Sequence, residues 1–512
     1  MFFTYRLSRF LAVGALIGGF VLAAQAQEET PAPSPHARAA ARPDEPPPAV
    51  SPRRLPADST TEHSLVLPGR TLDFKATAGT IKLTDEKGVE QADIAFVAYQ
   101  LKSASPESRP VAFVFNGGPG AASVWLHLGA LGPWRLPLEV GAISPSSAPV
   151  LVDNDDTWLD FTDLVFIDPA GTGYSQIVAS GDEIRKKLWS VDGDIDALSA
   201  VVRRWLAANE RLASPKFIVG ESYGGFRGPR LAQALATKQG IGVSGLVLIS
   251  PVLDFANFGA VDEPFSSVAL LPSFVAAARE RTGPVTRDQL ADVEQYAGGD
   301  YLLDYLRGPR DSAAVARMVE RVSALTGLDP ALVRRLGGRV DKDTFLREFD
   351  RAHGKVGAVY DATVGAYDPN PAANASHWLD PIIDGFNAPL TSAMMDLYER
   401  RLGWKIDNRY ETLNFAVDRA WDWGRSLDPP DSTRSLREML ALDPNFRVLV
   451  THGLTDVQVP YFGTKLLLDQ IPDYGAPGRL TLKVYAGGHM SYTRDASRKA
   501  LREDARKLIE GK

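Results

Sequence analysis

Ser222 sits in Gly220-Glu221-Ser222-Tyr223-Gly224, a Gly-x-Ser-x-Gly element that follows the apolar run Phe217, Ile218, Val219 directly. A serine hydroxyl becomes a useful nucleophile only beside a base, and the base needs a carboxylate to hold its tautomer. A strained turn between a strand and a helix exposes such a serine, and only small neighbours such as Gly220 and Gly224 fit there. Gly, Ser and Gly recur at this spacing by chance in a chain with 44 glycines, so the context matters. A strand pattern precedes the motif, and a helical one, Gly228 to Leu235, follows it.

Partners are expected later in the chain, in the order serine, acid, histidine. Of the seven histidines, His353, His377, His452 and His489 follow Ser222. His489 fits the base best, because it stands in the glycine-rich turn Ala486-Gly487-Gly488-His489-Met490 after a strand-like run from Leu480 to Tyr485. The acid is expected after the preceding strand, Phe446 to Val450, where Asp456 lies in a loop closed by Val459-Pro460. His452 precedes that acid and reads as a strand-end histidine bonded to its own loop. His353 and His377 read as surface residues.

A second glycine loop, Asn116-Gly117-Gly118-Pro119-Gly120, follows the strand-like Phe113-Val114-Phe115. Consecutive glycines there let backbone N–H groups face a substrate oxyanion. The order Asn-Gly-Gly-Pro-Gly, Gly-Glu-Ser-Tyr-Gly-Gly and Gly-Gly-His-Met resembles the serine carboxypeptidase family of carboxypeptidase Y and cathepsin A. Asn154-Asp155-Asp156-Thr157-Trp158 and the block Asp168 to Ser175 are also similar to family motifs. The resemblance covers about residues 111 to 254 and 446 to 492. It implies an α/β-hydrolase fold and a peptidase with Ser222, Asp456 and His489 as triad. The backbone N–H groups of Gly118 and Tyr223 would form the oxyanion hole, and Asn116 and Glu221 would bind the peptide's terminal carboxylate.

The departures are as informative. A second family glutamate is replaced by Ala130, which takes from Glu221 a like-charged neighbour that would raise its pKa. The chain has no cysteine, so no disulfide braces it. An esterase or acyltransferase is the alternative reading, since the same triad attacks esters, and a non-catalytic binding protein is a remote one.

The elements that must position these residues alternate. Strands are expected at 111–116, 163–168, 215–220, 245–250, 446–451 and 479–485, with short antiparallel strands between His63 and Leu101 opening the sheet. A helix is expected where Ile195, Leu198, Val201, Val202, Trp205 and Leu206 recur. This is an α/β pattern of mostly parallel sheet with helices on both faces. Its core is split, 61–254 and 441–512, by a helical cap at about 255–440. Stretches 286–306 and 312–325 belong to that cap, and its Trp421-Asp422-Trp423 either lines the pocket or packs the cap on the core.

Residues 1–26 carry Arg6 and Arg9, an apolar run from Leu11 to Ala24 and an Ala-x-Ala ending, the pattern of a signal peptide for export to periplasm or medium. Residues 27–60, rich in Pro and Ala, read as a disordered leader. The apolar run is short of the about 20 residues a membrane span needs. Net charge is −7, with no basic field for nucleic acid. No Cys/His cluster suggests a metal, and no cofactor is expected. A peptide is the expected partner, and the oligomeric state is open, a homodimer included.

Overall fold

A computed structural model describes residues 54–511, apart from 103–104, 139–143, 147, 258–262, 374–379 and 425–427. The chain divides into Met1–Ser51 and Pro52–Lys512, and every described residue belongs to the second unit. The signal-peptide reading and His377 therefore lie outside the described residues.

Nine strands carry the argument: β1 Ser59–Leu67, β2 Arg70–Thr84, β3 Glu90–Leu101, β4 Val111–Phe115, β5 Asp163–Ile167, β6 Lys216–Glu221, β7 Gly245–Ile249, β8 Arg447–Gly453 and β9 Leu480–Tyr485. With the short strand Gln176–Ile177, which pairs with β3, they form one sheet in the order β1-β2-β3-β5-β4-β6-β7-β8-β9. The first three pair antiparallel, and β3 meets β5 antiparallel. From β5 to β9 every neighbour is parallel. The expected leader reaches too far: Ser59 and Thr60 already pair with Ala78 and Thr77, because Asp58 accepts a hydrogen bond from the Thr80 N–H and fixes the entry to β1.

Side chains of the parallel strands alternate between two cores, as a period of two requires. Ala112, Val114, Leu164, Phe166, Phe217 and Val219 enter one cluster. Val111, Phe113, Phe115, Val165, Ile167 and Ile218 enter the other. Both faces of the sheet are thus covered, which is why these strands read as continuous apolar runs. Helix α1, Val191–Ala208, buries Ile195, Leu198, Val201, Val202, Trp205 and Leu206 on the second face, and Ser190 caps its start by accepting from the Gly193 N–H. Helix α2, Tyr223–Gln239, packs beside it.

Between β7 and β8 the chain is largely helical, with its own core around Phe274, Tyr301, Met318 and Phe345. Helix α3, Pro264–Glu280, opens this insertion, and Ser312–Thr326 forms helix α4. The stretch 286–306 is a run of short helical pieces rather than one helix.

Strand β4 neighbours both β5 and β6, so the chain leaves it in one direction and returns on the other side through α1. The connections therefore diverge at the carboxyl ends of β4 and β6, the kind of place where open α/β sheets bind ligands. Asn116 directly follows one of these strands and Ser222 the other.

Candidate active site

Ser222 connects β6 to α2 with φ 61° and ψ −120°, a conformation a non-glycine residue adopts only when its surroundings impose it. The Ser222 N–H bonds the Ile249 carbonyl at 2.9 Å, and the Ser222 carbonyl accepts from Gly225 and Val252. Its side chain makes no capping bond to the helix it precedes. The flanking glycines are steric necessities. A Cβ on Gly220 would lie 2.1 Å from the Gly224 carbonyl oxygen, and one on Gly224 would lie 2.6 Å from that of Phe115.

The Asn116 loop presses on this elbow. A Cβ on Gly117 would come within 2.6 Å of the Tyr223 nitrogen and 2.8 Å of the Ser222 Cβ, so Gly118 follows in close approach to the serine turn. Gly118 has φ 99°. Tyr223 is the first residue of α2, where a backbone N–H has no upstream helical carbonyl to bond. Arg227, one turn further on, locks the two loops together: it donates to the Asn116 carbonyl at 2.8 Å and pairs with Asp194 of α1 at 2.7 Å. Both charges are buried, so each satisfies the other.

Asp456 and His489 follow neighbouring parallel strands, β8 and β9, at one edge of the sheet. His489 Nδ1 lies 2.7 Å from Asp456 Oδ2, with both side chains almost fully buried. Asp456 Oδ1 accepts from the N–H groups of Gln458 at 2.9 Å and Val459 at 2.8 Å, which orients the carboxylate. Burial opposes charge on His489, yet Asp456 outweighs it, with smaller help from Glu221 and Asp380, and the imidazole titrates above its usual range. Its Nε2 has no hydrogen-bond partner among the described residues. The Ser250 hydroxyl, at the end of β7, donates to the His489 carbonyl at 2.8 Å and ties this loop to the strand beside the serine.

Other histidines differ. His452 is fully buried on β8, and burial drives it down to about 3. Val459, in the loop that follows, is its backbone partner, through a contact short of full hydrogen-bond geometry. His353 is exposed and pairs with Asp350.

Glu221 ends β6 and is 4 % exposed. Burial pushes its carboxyl up to about 7, against the opposing pull of His489, Tyr492 and Asn116. Loss of the family's second acid at Ala130 therefore does not leave Glu221 with an ordinary affinity for its proton, because burial raises it instead of a like charge. The Tyr492 hydroxyl donates to Glu221 Oε2 at 2.8 Å, and the same ring lies against Gly129, next to Ala130. Asn116 also hydrogen-bonds Glu221, while its own Oδ1 accepts from the Leu126 N–H at 3.0 Å. Sequence reasoning missed Tyr492 and Arg227; each stands within five residues of a candidate, as a polar group among apolar or small neighbours.

Trp421 and Trp423 pack on Tyr223, with ring centroids 5.4 and 5.8 Å away, and Phe255 meets Trp423 at 4.6 Å. Trp421 is buried, whereas Phe255 and Trp423 remain half-buried.

Known proteins resemble this chain over part of its length. Residues 68–265 match the family model "Serine carboxypeptidase". Serine carboxypeptidase-like 2 of Arabidopsis thaliana is 26 % identical over 193 residues, 36 % of this chain and 41 % of that protein. Serine carboxypeptidase-like 45 of the same plant is 28 % identical over 215 residues, 40 % and 43 % of the two chains. The chain thus spans about two fifths of the length of these curated relatives. The crystal structure of Kex1(Δ)p, a prohormone-processing carboxypeptidase from Saccharomyces cerevisiae, superposes with a TM-score of 0.54 at 15 % identity. That match covers 86 % of this chain and 91 % of the yeast one. Asp456 and His489 lie beyond the segment matched by the family model. Over residues 68–265 the chain is similar to the serine carboxypeptidases, and its fold is an α/β-hydrolase fold.

Proposed function

We propose that this chain is a serine-type carboxypeptidase-like hydrolase that cleaves peptides through an acyl-enzyme. The observation that carries the reading is the buried Asp456–His489 bond, which leaves the other ring nitrogen without a partner among the described residues, while Ser250 ties the histidine loop to the strand next to that of Ser222, itself held at positive φ. In this reading the Ser222 oxygen adds to the scissile carbonyl carbon while its proton passes to His489 Nε2. The N–H groups of Gly118 and Tyr223 receive the oxyanion. His489 then gives its proton to the departing amine as the C–N bond breaks, and water repeats the sequence on the acyl-enzyme. Asp456 holds the imidazole tautomer and stabilises the imidazolium. Asn116 and Glu221 face the group that follows the scissile bond, and the helical insertion serves as a cap. The first 26 residues mark the protein for export.

An ester or acyl-transfer activity is favoured by one observation. Both Tyr492 and Asn116 already bond Glu221, so few donors are left to fix a free terminal carboxylate.

The test uses purified protein with a fluorophosphonate probe and three matched substrates: a free-acid peptide, its amide, and an ester. Labelling at Ser222 alone, peptide hydrolysis, and a loss of several orders of magnitude in Ser222→Ala are expected. Labelling elsewhere, or near-normal turnover by Ser222→Ala, rejects the assignment. Ester turnover with no peptide turnover favours the second reading.

A further inference from the structure

The insertion between β7 and β8 does more than sit near the catalytic loops. A small antiparallel hairpin, Lys355–Gly357 with Gly365–Tyr367, presents a tip whose residues Val359 to Thr363 reach both the acid loop and the histidine loop. The Tyr360 carbonyl accepts from the His489 N–H at 2.6 Å. The Ala362 N–H donates to the Thr455 carbonyl at 3.0 Å, and the Val457 N–H donates to the Val359 carbonyl at 3.3 Å, so the tip brackets Asp456 on both sides. The approach leaves no room for a side chain before the histidine: a Cβ on Gly488 would stand 2.0 Å from the Tyr360 oxygen and 2.5 Å from the Asp361 Cα.

Asp361 joins these contacts. Its side chain is 3 % exposed. Oδ1 accepts from the Thr363 N–H and hydroxyl, which shapes the turn locally, and also from the Thr455 hydroxyl at 2.7 Å, which does not. Thr455 directly precedes the candidate acid, and its N–H bonds the Gly487 carbonyl at 2.9 Å, two residues before the candidate base. Oδ2 pairs with Arg494 at 3.1 Å, five residues after His489. Arg494 also pairs with Glu280 at the end of α3, so one cation binds two separate parts of the insertion to the histidine loop. A turn-forming aspartate needs only the two Thr363 bonds. The bonds to Thr455 and Arg494 have no role in the turn, and they end on the two loops whose relative position sets the Asp456–His489 contact.

We propose that Asp361 is a positioning residue for the catalytic base, holding the acid loop and the histidine loop in register from the tip of the inserted hairpin. This rests on the reading of Ser222, Asp456 and His489 as a triad. The insertion is then a fixed part of the catalytic scaffold at this point, and any opening for substrate takes place elsewhere. Asp361 touches no reacting atom. It acts through the direction of the imidazole, whose charged neighbours are Asp456, Glu221 and Asp380. A displacement of that ring of well under an ångström is enough to slow proton transfer.

The experiment compares Asp361→Asn, Asp361→Ala and Thr455→Val with the unmodified protein. The readouts are kcat and KM for one ester and one peptide, the pH dependence of kcat, and the number of active sites titrated to completion with fluorophosphonate. Per titrated site, kcat is expected to fall about tenfold in Asp361→Asn and Thr455→Val and about a hundredfold in Asp361→Ala, with KM within about twofold, as losing one or several bonds to a charged group implies. The acidic limb of the profile is expected to move to lower pH, because a loosened Asp456 supports imidazolium less. Thr455→Val is nearly isosteric and keeps the test open if Asp361→Ala does not fold. Unchanged kcat per site, or a loss with the limb unmoved in both Asp361→Asn and Thr455→Val, overturns the proposal. An unmodified protein that is neither labelled nor active on either substrate instead overturns the triad reading on which it rests.

Discussion

Replacing Glu221 by glutamine should stabilise the protein at neutral pH and have much less effect in acid. The folded carboxyl is raised by burial from its ordinary 4.5 to about 7. Between those values the folded chain keeps a proton that the unfolded chain has released, so stability falls as pH rises through the window and levels off above it. A tenfold difference in proton affinity between the folded and unfolded chains is worth about 1.4 kcal/mol, so this group costs less than about 1 kcal/mol at pH 5 and about 3 kcal/mol at pH 8. Glutamine is neutral throughout and keeps an oxygen for the Tyr492 hydroxyl, so that cost disappears. The difference in unfolding free energy, variant minus parent, should therefore grow by about 2.5 kcal/mol from pH 5 to pH 8. Asp168 and Asp380, both pushed to about 6 by burial, titrate in the same range but are common to both proteins and cancel. Urea unfolding of the two proteins at the two pH values measures the difference. A gap that does not change with pH, or that narrows towards pH 8, would refute the claim that Glu221 is a buried acid carrying its charge at a cost.

The remaining expectations concern the site itself. Asp456→Asn keeps the 2.7 Å geometry but favours the wrong imidazole tautomer, and should lower kcat by roughly 10⁴ with the fold intact; if His452→Ala proves as damaging as His489→Ala in stable proteins, the base is misassigned. Tyr492→Phe removes the donor to Glu221 Oε2, so Glu221 should bind its proton about tenfold more tightly, and the ratio of kcat/KM for free-acid over amide peptides near pH 7 should rise several-fold. A ratio unaffected by Tyr492→Phe would show that the hydroxyl does not tune Glu221.

Local chemistry explains what could be read in advance. The strands from β4 to β9 begin and end within two residues of their expected limits, because each is a short apolar run between turn residues. The antiparallel strands expected as short ones between His63 and Leu101 are longer than that: in β2 the alternation runs without a break from Leu72 to Ala78, within a strand of 15 residues. Ser222, Asp456 and His489 could be proposed in advance because each lies in a short loop that its glycines, or a proline in the case of Asp456, mark in the sequence. Tyr492 could not, since a tyrosine near a turn is an ordinary core residue until Glu221 is seen at 2.8 Å.

The hairpin tip was the least legible part, for a physical reason. Its contacts with the catalytic loops are mostly backbone to backbone: Tyr360 to His489, Ala362 to Thr455, Val359 to Val457. Such bonds use groups that nearly every residue possesses, so they leave no mark on residue type. Side-chain chemistry crosses the boundary where Asp361 meets Thr455 and where Asp361 and Thr363 meet Arg494, and a few polar side chains about 90 to 130 residues apart in the chain have no periodicity to betray them. Motif reading therefore finds the groups that react, which must be of particular types and must stand on short loops. It passes over the groups that aim them, because aiming needs a fixed backbone and a buried ion pair rather than a particular local pattern. In this fold the candidate reacting groups follow strands of the sheet, and part of what would fix their direction lies in the insertion. For that reason the Asp361 and Thr455 variants, rather than further changes to the triad, measure how far the insertion shares in catalysis.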